Sequence, residues 1–512
     1  MGHSSTNRAY APSGRTRATA AGLLGLLIAG APALSSAASA RAAPAPSTPS
    51  LALSSCLLTH PSRIASVEAE CGALSVPENP AAANGRQITL RVARVAAINL
   101  RKRPDPLFVL AGGPGMAATT FYTSAAGAFA RIHRDRDIVL VDQRGTGGSN
   151  ALTCSLDDDT LWQPGDQRLT AQIRRCLESL RPRADVRFYT TSIAVEDLER
   201  VRRALGYGPI NLYGVSYGTR VAQHYLRRHP DTTRAVILDG VVPPQEAVGA
   251  ALALDAEAAL TRIFARCSAD TGCRARFGNP DVAYRRLRAQ LGERAVTVHV
   301  SDPATNAPVA LDFGALHLAA VLRLSSYTAE QAALLPLLID TASAGANLQP
   351  LAAQFLLLDH SYGEALAYGM HNAVVCSEDV PFYGHVDRDR LAATYLGVSQ
   401  VDALEQVCAL WPRGPVDPDF HQPIDSDRPV LLLSGGDDPV TPPANASLAA
   451  RGLTDHVIVQ LEGMGHGQLT APCIGELMAR FLEAGTTRGL DTSCAQRARP
   501  LPFFISFAGP AP

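Results

Sequence analysis

The chain has 512 residues, 46% of them apolar and 18% charged, a globular composition with room for more than one ordinary core and not a disordered one. A formal net charge of -1 gives no reason to expect a nucleic acid or an acidic surface as partner. Lys102 is the single lysine; a GC-rich coding bias accounts for it, and a Ser-Lys dyad or Schiff-base lysine is nearly excluded.

In chain order, residues 1–42 read as an export signal with its cleavage region. Arg8, Arg15 and Arg17 form a basic start, Ala18 to Ala31 an apolar stretch, and Ala38-Ser39-Ala40 a cleavage site. The stretch is short for a membrane span, so export to the periplasm or the medium is expected, with no membrane association after signal removal. A short N-terminal anchor is the competing reading. Leu53-Ser54-Ser55-Cys56 looks like a lipoprotein box but lies well past the apolar run. Residues 43–50 are rich in Pro and Ala and read as a flexible lead.

Arg86 to Ala97 alternates and reads as a strand. Leu107 to Ala111 and Asp137 to Val141 are short apolar runs ending in Gly112-Gly113-Pro114-Gly115 and Asp142-Gln143-Arg144-Gly145. Ser192 to Leu205 has helical spacing, with Ser192 as N-cap candidate. Ile210 to Tyr213 is a strand, Val221 to Arg228 a helix and Ala235 to Leu238 a strand. Fully apolar strands alternating with helices indicate a mostly parallel sheet covered on both faces. From Pro243 to about Pro423 the pattern turns helical, with Glu246 to Arg266, Val282 to Leu291, Ala315 to Leu324 and Ala329 to Ala342 as examples. Strands resume at Pro429 to Ser434 and His456 to Leu461, with helices at Pro443 to Arg451 and Ile474 to Ala484. The expected organisation is a core at 43–243, a helical lid at 244–423 between the strand ending near Asp239 and the strand starting near Pro429, and the rest of the core at 424–512.

Ten cysteines agree with export. They fall into sequence-local pairs, Cys56 with Cys71, Cys154 with Cys176, Cys267 with Cys273, Cys376 with Cys408 and Cys473 with Cys494, although spacing alone does not fix connectivity. None has zinc-ribbon spacing or a nearby His cluster, so no metal is expected.

Gly214-Val215-Ser216-Tyr217-Gly218 fits Gly-x-Ser-x-Gly between a strand and a helix, the setting of a nucleophile elbow in an α/β-hydrolase fold. A serine hydroxyl needs a base, and in that fold the order is Ser, acid, His. His466, in Gly463-Met464-Gly465-His466-Gly467, follows the last strand and is the base. The acid comes from Gly435-Gly436-Asp437-Asp438-Pro439, with Asp438 preferred and Asp437 as fallback. Two N–H groups should hold the oxyanion: Tyr217 gives one and Gly113 the other, with Gly112 next in line.

Taken together, Gly112-Gly113-Pro114-Gly115, Asp142-Gln143-Arg144-Gly145-Thr146-Gly147-Gly148-Ser149, the serine motif, Asp438-Pro439-Val440-Thr441-Pro442 and Gly465-His466-Gly467 resemble the proline iminopeptidase and tripeptidyl aminopeptidase family. From Pro429 onward the likeness is to the tripeptidyl aminopeptidase branch. The resemblance implies an exopeptidase acting on free N-termini, with the same triad. Where many proline iminopeptidases have His before Gly-Gly-Pro-Gly, this chain has Ala111, which argues against strict proline specificity. The family also binds the substrate ammonium with acidic residues from the lid side; Glu378 and Asp379, in Cys376-Ser377-Glu378-Asp379, are the local candidates, with a surface or capping role as the competing reading. Glu364 reads as solvated.

The expected function is a secreted serine aminopeptidase that releases single residues or tripeptides through an acyl-enzyme, with no cofactor and a peptide or small molecule as substrate. The alternatives are an exported carboxylesterase with the same triad and a catalytically silent binding protein of the same fold. Substrate length, residue preference and oligomeric state are not encoded in these patterns.

Overall fold

The computed structural model describes residues 51–154, 167–363 and 366–510. The segment read as an export signal, the lead at 43–50 and Glu364 lie outside them. Among the described residues is a nine-stranded sheet in the order β1-β2-β3-β5-β4-β6-β7-β10-β11. Its strands are β1 (Ser54–Thr59), β2 (Ser66–Pro77), β3 (Gln87–Val95), β4 (Leu107–Leu110), β5 (Ile138–Val141), β6 (Ile210–Val215), β7 (Thr233–Asp239), β10 (Val430–Gly435) and β11 (His456–Leu461). From β5 to β11 every pairing is parallel; β1, β2 and β3 add an antiparallel edge.

β4 and β5 are buried at every position, as strands covered on both faces must be. Successive side chains feed opposite layers. Phe108 and Leu110 join Val221 and Tyr225 of the helix Tyr217–Arg228 on one face. Leu107 and Val109 meet Leu477 and Phe481 of the helix Ile474–Ala484 on the other. Register brings the strand ends to one edge: Leu110 pairs with Gly214, Val215 with Asp239, and Gly435 with Leu461. The loops after β4, β6, β7, β10 and β11 therefore leave the sheet side by side.

Between β7 and β10 the chain is mostly helical. The helices Leu252–Ala269, Pro280–Glu293, Ala315–Ser325 and Leu335–Gly345 share a core that includes Leu260, Ile263, Leu287, Leu322 and Ile339. Several elements depart from expectation. The segment holds an antiparallel hairpin, β8 (Val296–Ser301) with β9 (Pro308–Phe313), because Val296, Val298 and Val300 alternate at strand period. The run Ala329 to Ala342 is two helices, Ala329–Ala332 and Leu335–Gly345, since Pro336 belongs in a first turn. The helix expected from Glu246 begins only at Leu252. Ser192 is not a cap: Thr190 occupies that position, and the Ser192 hydroxyl accepts a bond from Asp417 N–H at 3.1 Å. The β1–β2 hairpin was not legible, because its edge strands interleave Ser, Glu and Thr. All five local cysteine pairs are disulfides.

Arg144 anchors the loop after β5. It is fully buried. Its Nε and Nη2 donate to the two Asp197 oxygens at 2.7 and 2.9 Å, and its Nη1 donates to the carbonyls of Glu78 and Phe188 at 2.8 Å. Replacing it by an apolar residue leaves buried Asp197 with only the partly exposed Arg200 at 3.0 Å and strands two carbonyls. Arg144→Met is expected to destabilise the fold by about 3–5 kcal/mol, read as a lower thermal unfolding midpoint.

Candidate active site

β6 runs into Ser216, whose φ of 56° and ψ of -126° lie outside the regions ordinary residues prefer. Such a conformation costs on the order of 1–3 kcal/mol and must be held by its surroundings. Ser216 N–H donates to Asp239 O at 2.9 Å, while Ser216 O accepts from Thr219 N–H at 2.9 Å and Thr219 Oγ1 at 2.6 Å. The flanking glycines are steric requirements. A Cβ on Gly214 would lie 2.2 Å from Gly218 O, and one on Gly218 2.3 Å from Leu110 O. The turn is thus pressed against β4, and the helix Tyr217–Arg228 starts at the next residue. Ser216 stays partly exposed.

Asp438 is fully buried in the loop after β10. Its Oδ1 accepts the N–H groups of Val440 and Thr441, both at 2.8 Å. Its Oδ2 accepts Thr441 Oγ1 at 2.7 Å and lies 2.8 Å from His466 Nδ1. Asp437 instead faces Arg262 and Arg266, each at 3.4 Å, so the fallback acid is a loop ion pair. His466 is fixed at both ends: its N–H donates to Tyr327 O at 2.7 Å, and its ring stands edge-on to the Tyr327 ring at 5.2 Å. With Nδ1 on the acid, Nε2 is turned away from Asp438. Burial pushes the imidazole pKa down, but the Asp438 charge and hydrogen bond, with Asp239 behind them, bring it above its ordinary value.

The glycine loop after β4 touches the elbow. A Cβ on Gly112 would sit 3.0 Å from Ser216 Cβ and 3.5 Å from Ser216 Oγ. Gly113 N–H is the next donor along this loop, and Tyr217 N–H opens the helix, where the dipole favours negative charge. The Tyr217 phenol is pinned by Gln143 Nε2 at 2.9 Å and Thr191 Oγ1 at 2.6 Å. Gln143 thus braces the elbow, a role its motif did not disclose.

Glu378 and Asp379 are buried. Glu378 accepts Thr191 N–H at 2.6 Å and Thr191 Oγ1 at 2.8 Å; Asp379 accepts Arg220 Nη1 and Val248 N–H, both at 2.7 Å. Burial pushes the Glu378 carboxyl up to about 8 against the pull of Arg220. This pair therefore lies in an internal network beneath Tyr217, not on an open wall.

Two carboxylates that the sequence places only as helix positions lie close enough to each other, and Asp255 to Asp438, for their charges to act. Glu246, in the turn after β7, and Asp255, in the first turn of Leu252–Ala269, are half-buried. Asp255 has no hydrogen-bond or ion-pair partner among the described residues. Burial, then the charges of Glu246 and Asp438, push it up to about 7, with Arg262 opposing. Glu246 is also raised by burial, against a hydrogen bond from Asn445 and the charge of Arg220.

Residues 105–270 match the α/β-hydrolase fold family, and residues 393–494 match the TAP-like protein family. The chain is 26% identical over 465 residues to a tripeptidyl aminopeptidase of Streptomyces coelicolor, covering 85% of this chain and 84% of that protein. It is 26% identical over 469 residues to the serine protease Hip1 of Mycobacterium bovis, covering 83% and 87%. A shorter match, 28% over 141 residues, is to a proline iminopeptidase of Neisseria gonorrhoeae, covering 27% and 34%.

The raised imidazole sets a pH dependence. An imidazole can take a proton only when neutral, so if His466 is the base, fluorophosphonate labelling of Ser216 should decline as pH falls through a midpoint above the ordinary imidazole value of about 6.5. Labelling that stays constant down to pH ~5 would contradict it.

Proposed function

We propose that this chain, with its α/β-hydrolase fold and TAP-like C-terminal region, is an exported serine aminopeptidase that cleaves peptides from a free N-terminus through an acyl-enzyme. One observation carries the catalytic part: His466 is held on Asp438 at 2.8 Å, in a chain whose strand-end serine stands at positive φ. Ser216 Oγ attacks the scissile carbonyl while His466 Nε2 takes its proton. The N–H groups of Gly113 and Tyr217 hold the oxyanion, each such donor contributing about 3–4 kcal/mol to the transition state. His466 then protonates the leaving amine, and water repeats the cycle on the ester.

The amine anchor passes from Glu378 and Asp379, whose oxygens are taken, to Glu246 and Asp255. A half-buried carboxylate with no cation beside it is costly, and an arriving ammonium relieves that cost. An esterase acting on neutral substrates would give this pair no partner. The helices between β7 and β10, from which Asp255 comes, act in this reading as the lid over the substrate. Five disulfides accord with an oxidising destination, reached through the signal at residues 1–42 and ending in the periplasm or the medium.

Aminoacyl and tripeptidyl amides with free or acetylated N-termini test the proposal. Free amines should be cleaved and acetylated ones spared. Ser216→Ala should lose at least about 10⁴-fold in kcat. Asp255→Asn should raise KM for free amines about 10–100-fold, the range for one charge-assisted hydrogen bond, and leave any residual turnover of acetylated substrates unchanged. Equal cleavage of both substrate sets would shift the assignment to the esterase.

A further inference from the structure

Asp239, the last residue of β7, is fully buried and is bonded to the proposed nucleophile and to the loop that carries the proposed base. Its backbone carbonyl accepts Ser216 N–H at 2.9 Å. Its carboxylate accepts Gln468 N–H on both oxygens at 2.9 Å, two residues past His466. The Tyr213 hydroxyl donates to Oδ2 at 2.8 Å from inside β6. The next residue, Gly240, donates its N–H to Leu433 O of β10, the strand that leads to Asp438, at 3.0 Å. A Cβ on Gly240 would lie 3.0 Å from His466 Cε1 and 3.1 Å from His466 Nδ1, so the chain at 239–240 runs against the imidazole.

We infer that Asp239 is a positioning residue and second carboxylate for His466, tying the base loop to the nucleophile turn while adding its negative charge to that of Asp438. This rests on reading His466 as the base. The run Ala235 to Leu238 before it is apolar, and a buried acid there is costly unless donors meet it, as Tyr213 and Gln468 do. An amide could fill the space, but it would not accept from both Tyr213 O–H and Gln468 N–H without turning its NH₂ toward a donor.

The charged and titratable groups around the pair define what should titrate. Asp239 faces Tyr213 from β6, His466 from the loop after β11 and Asp438 from the loop after β10. His466 faces Asp438, Asp239 and Arg323 of the helix Ala315–Ser325, with the Tyr327 ring at its edge. Burial pushes Asp239 up to about 6, against the hydrogen bonds from Gln468 and Tyr213 and the charge of His466, while Asp438 adds to the rise. Asp239 is therefore ionised at neutral pH. Below that range it takes up a proton, its field on the imidazole disappears, and the two groups titrate as a coupled pair.

The test is the pH profile of kcat/KM for Asp239→Asn against the unaltered protein. Removing a negative charge beside an imidazole lowers the imidazole pKa, so the acid limb should move down by about 0.5–1 pH unit. The plateau should fall roughly tenfold as the base loop loosens. A residue with only a packing role would lower the plateau and the melting temperature and leave the limb in place; that result overturns the inference. If Asp239→Asn does not fold, Tyr213→Phe removes one donor, keeps the carboxylate and makes Asp239 harder to ionise. The limb should then move down by a smaller amount, and an unmoved limb is again fatal. Failure of the underlying reading looks different: the unaltered protein would show no acid limb, or His466→Ala would keep its activity.

Discussion

Ser216 at φ 56° occupies a backbone conformation that a non-glycine residue adopts only when its neighbours impose it. The imposition comes from three directions. β4 presses from one side through the Gly218–Leu110 contact, β7 accepts the Ser216 N–H, and Thr219 donates to the Ser216 carbonyl from within the helix. The parallel pairing of β4, β6 and β7 places these three partners at one edge. The same register delivers the loops after β10 and β11, which carry Asp438 and His466, to the edge where the strained serine stands.

The helical segment between β7 and β10 takes part in this construction. Tyr327 supplies the carbonyl that holds His466 N–H and the ring that flanks the imidazole. Arg262 and Arg266 hold Asp437 away from the base and leave Asp438 to face it. The fold of this segment and the geometry of the base are therefore coupled: a shift of the Leu252–Ala269 helix would be felt at the acid loop.

Carboxylates dominate the surroundings of the site. Asp239, Glu246, Asp255 and Glu378 are all raised by burial, which states in protonation terms that their charged forms are costly where they sit. Asp239, Asp438 and Glu378 offset that cost with hydrogen bonds from the protein. Asp255 does not, and an unmet negative charge near the acid loop suits a substrate that brings a positive end.

Much of the site was readable along the chain. Apolar runs marked β4, β5, β6, β7 and β10, and the loops after β4, β6, β10 and β11 hold the Gly-Gly-Pro-Gly, Gly-x-Ser-x-Gly, Asp-Asp and Gly-His-Gly residues. In a parallel sheet every strand leaves at the same edge, so these loops gather there, while their spatial order, with β4 between β5 and β6, departs from chain order. What order cannot tell is which of two adjacent side chains turns inward. The choice of Asp438 over Asp437 as the residue that meets His466 was settled by Arg262 and Arg266, about 170 positions away. Glu378 and Asp379 were legible as a pair of acids, but their use was decided by Thr191 and Arg220, which come from helices before the insertion. Asp239 gave no sign beyond ending an apolar run, since its partners Tyr213 and Gln468 meet it only when β6, β7 and the loop after β11 converge. The sequence by itself marked β3 to β7, β10 and β11, the sequence-local cysteine pairs as candidates and the candidate chemical residues, because periodicity and spacing are properties of nearby residues. The tertiary structure decided which of those residues share a hydrogen bond, because that depends on contacts between segments the chain brings together only on folding.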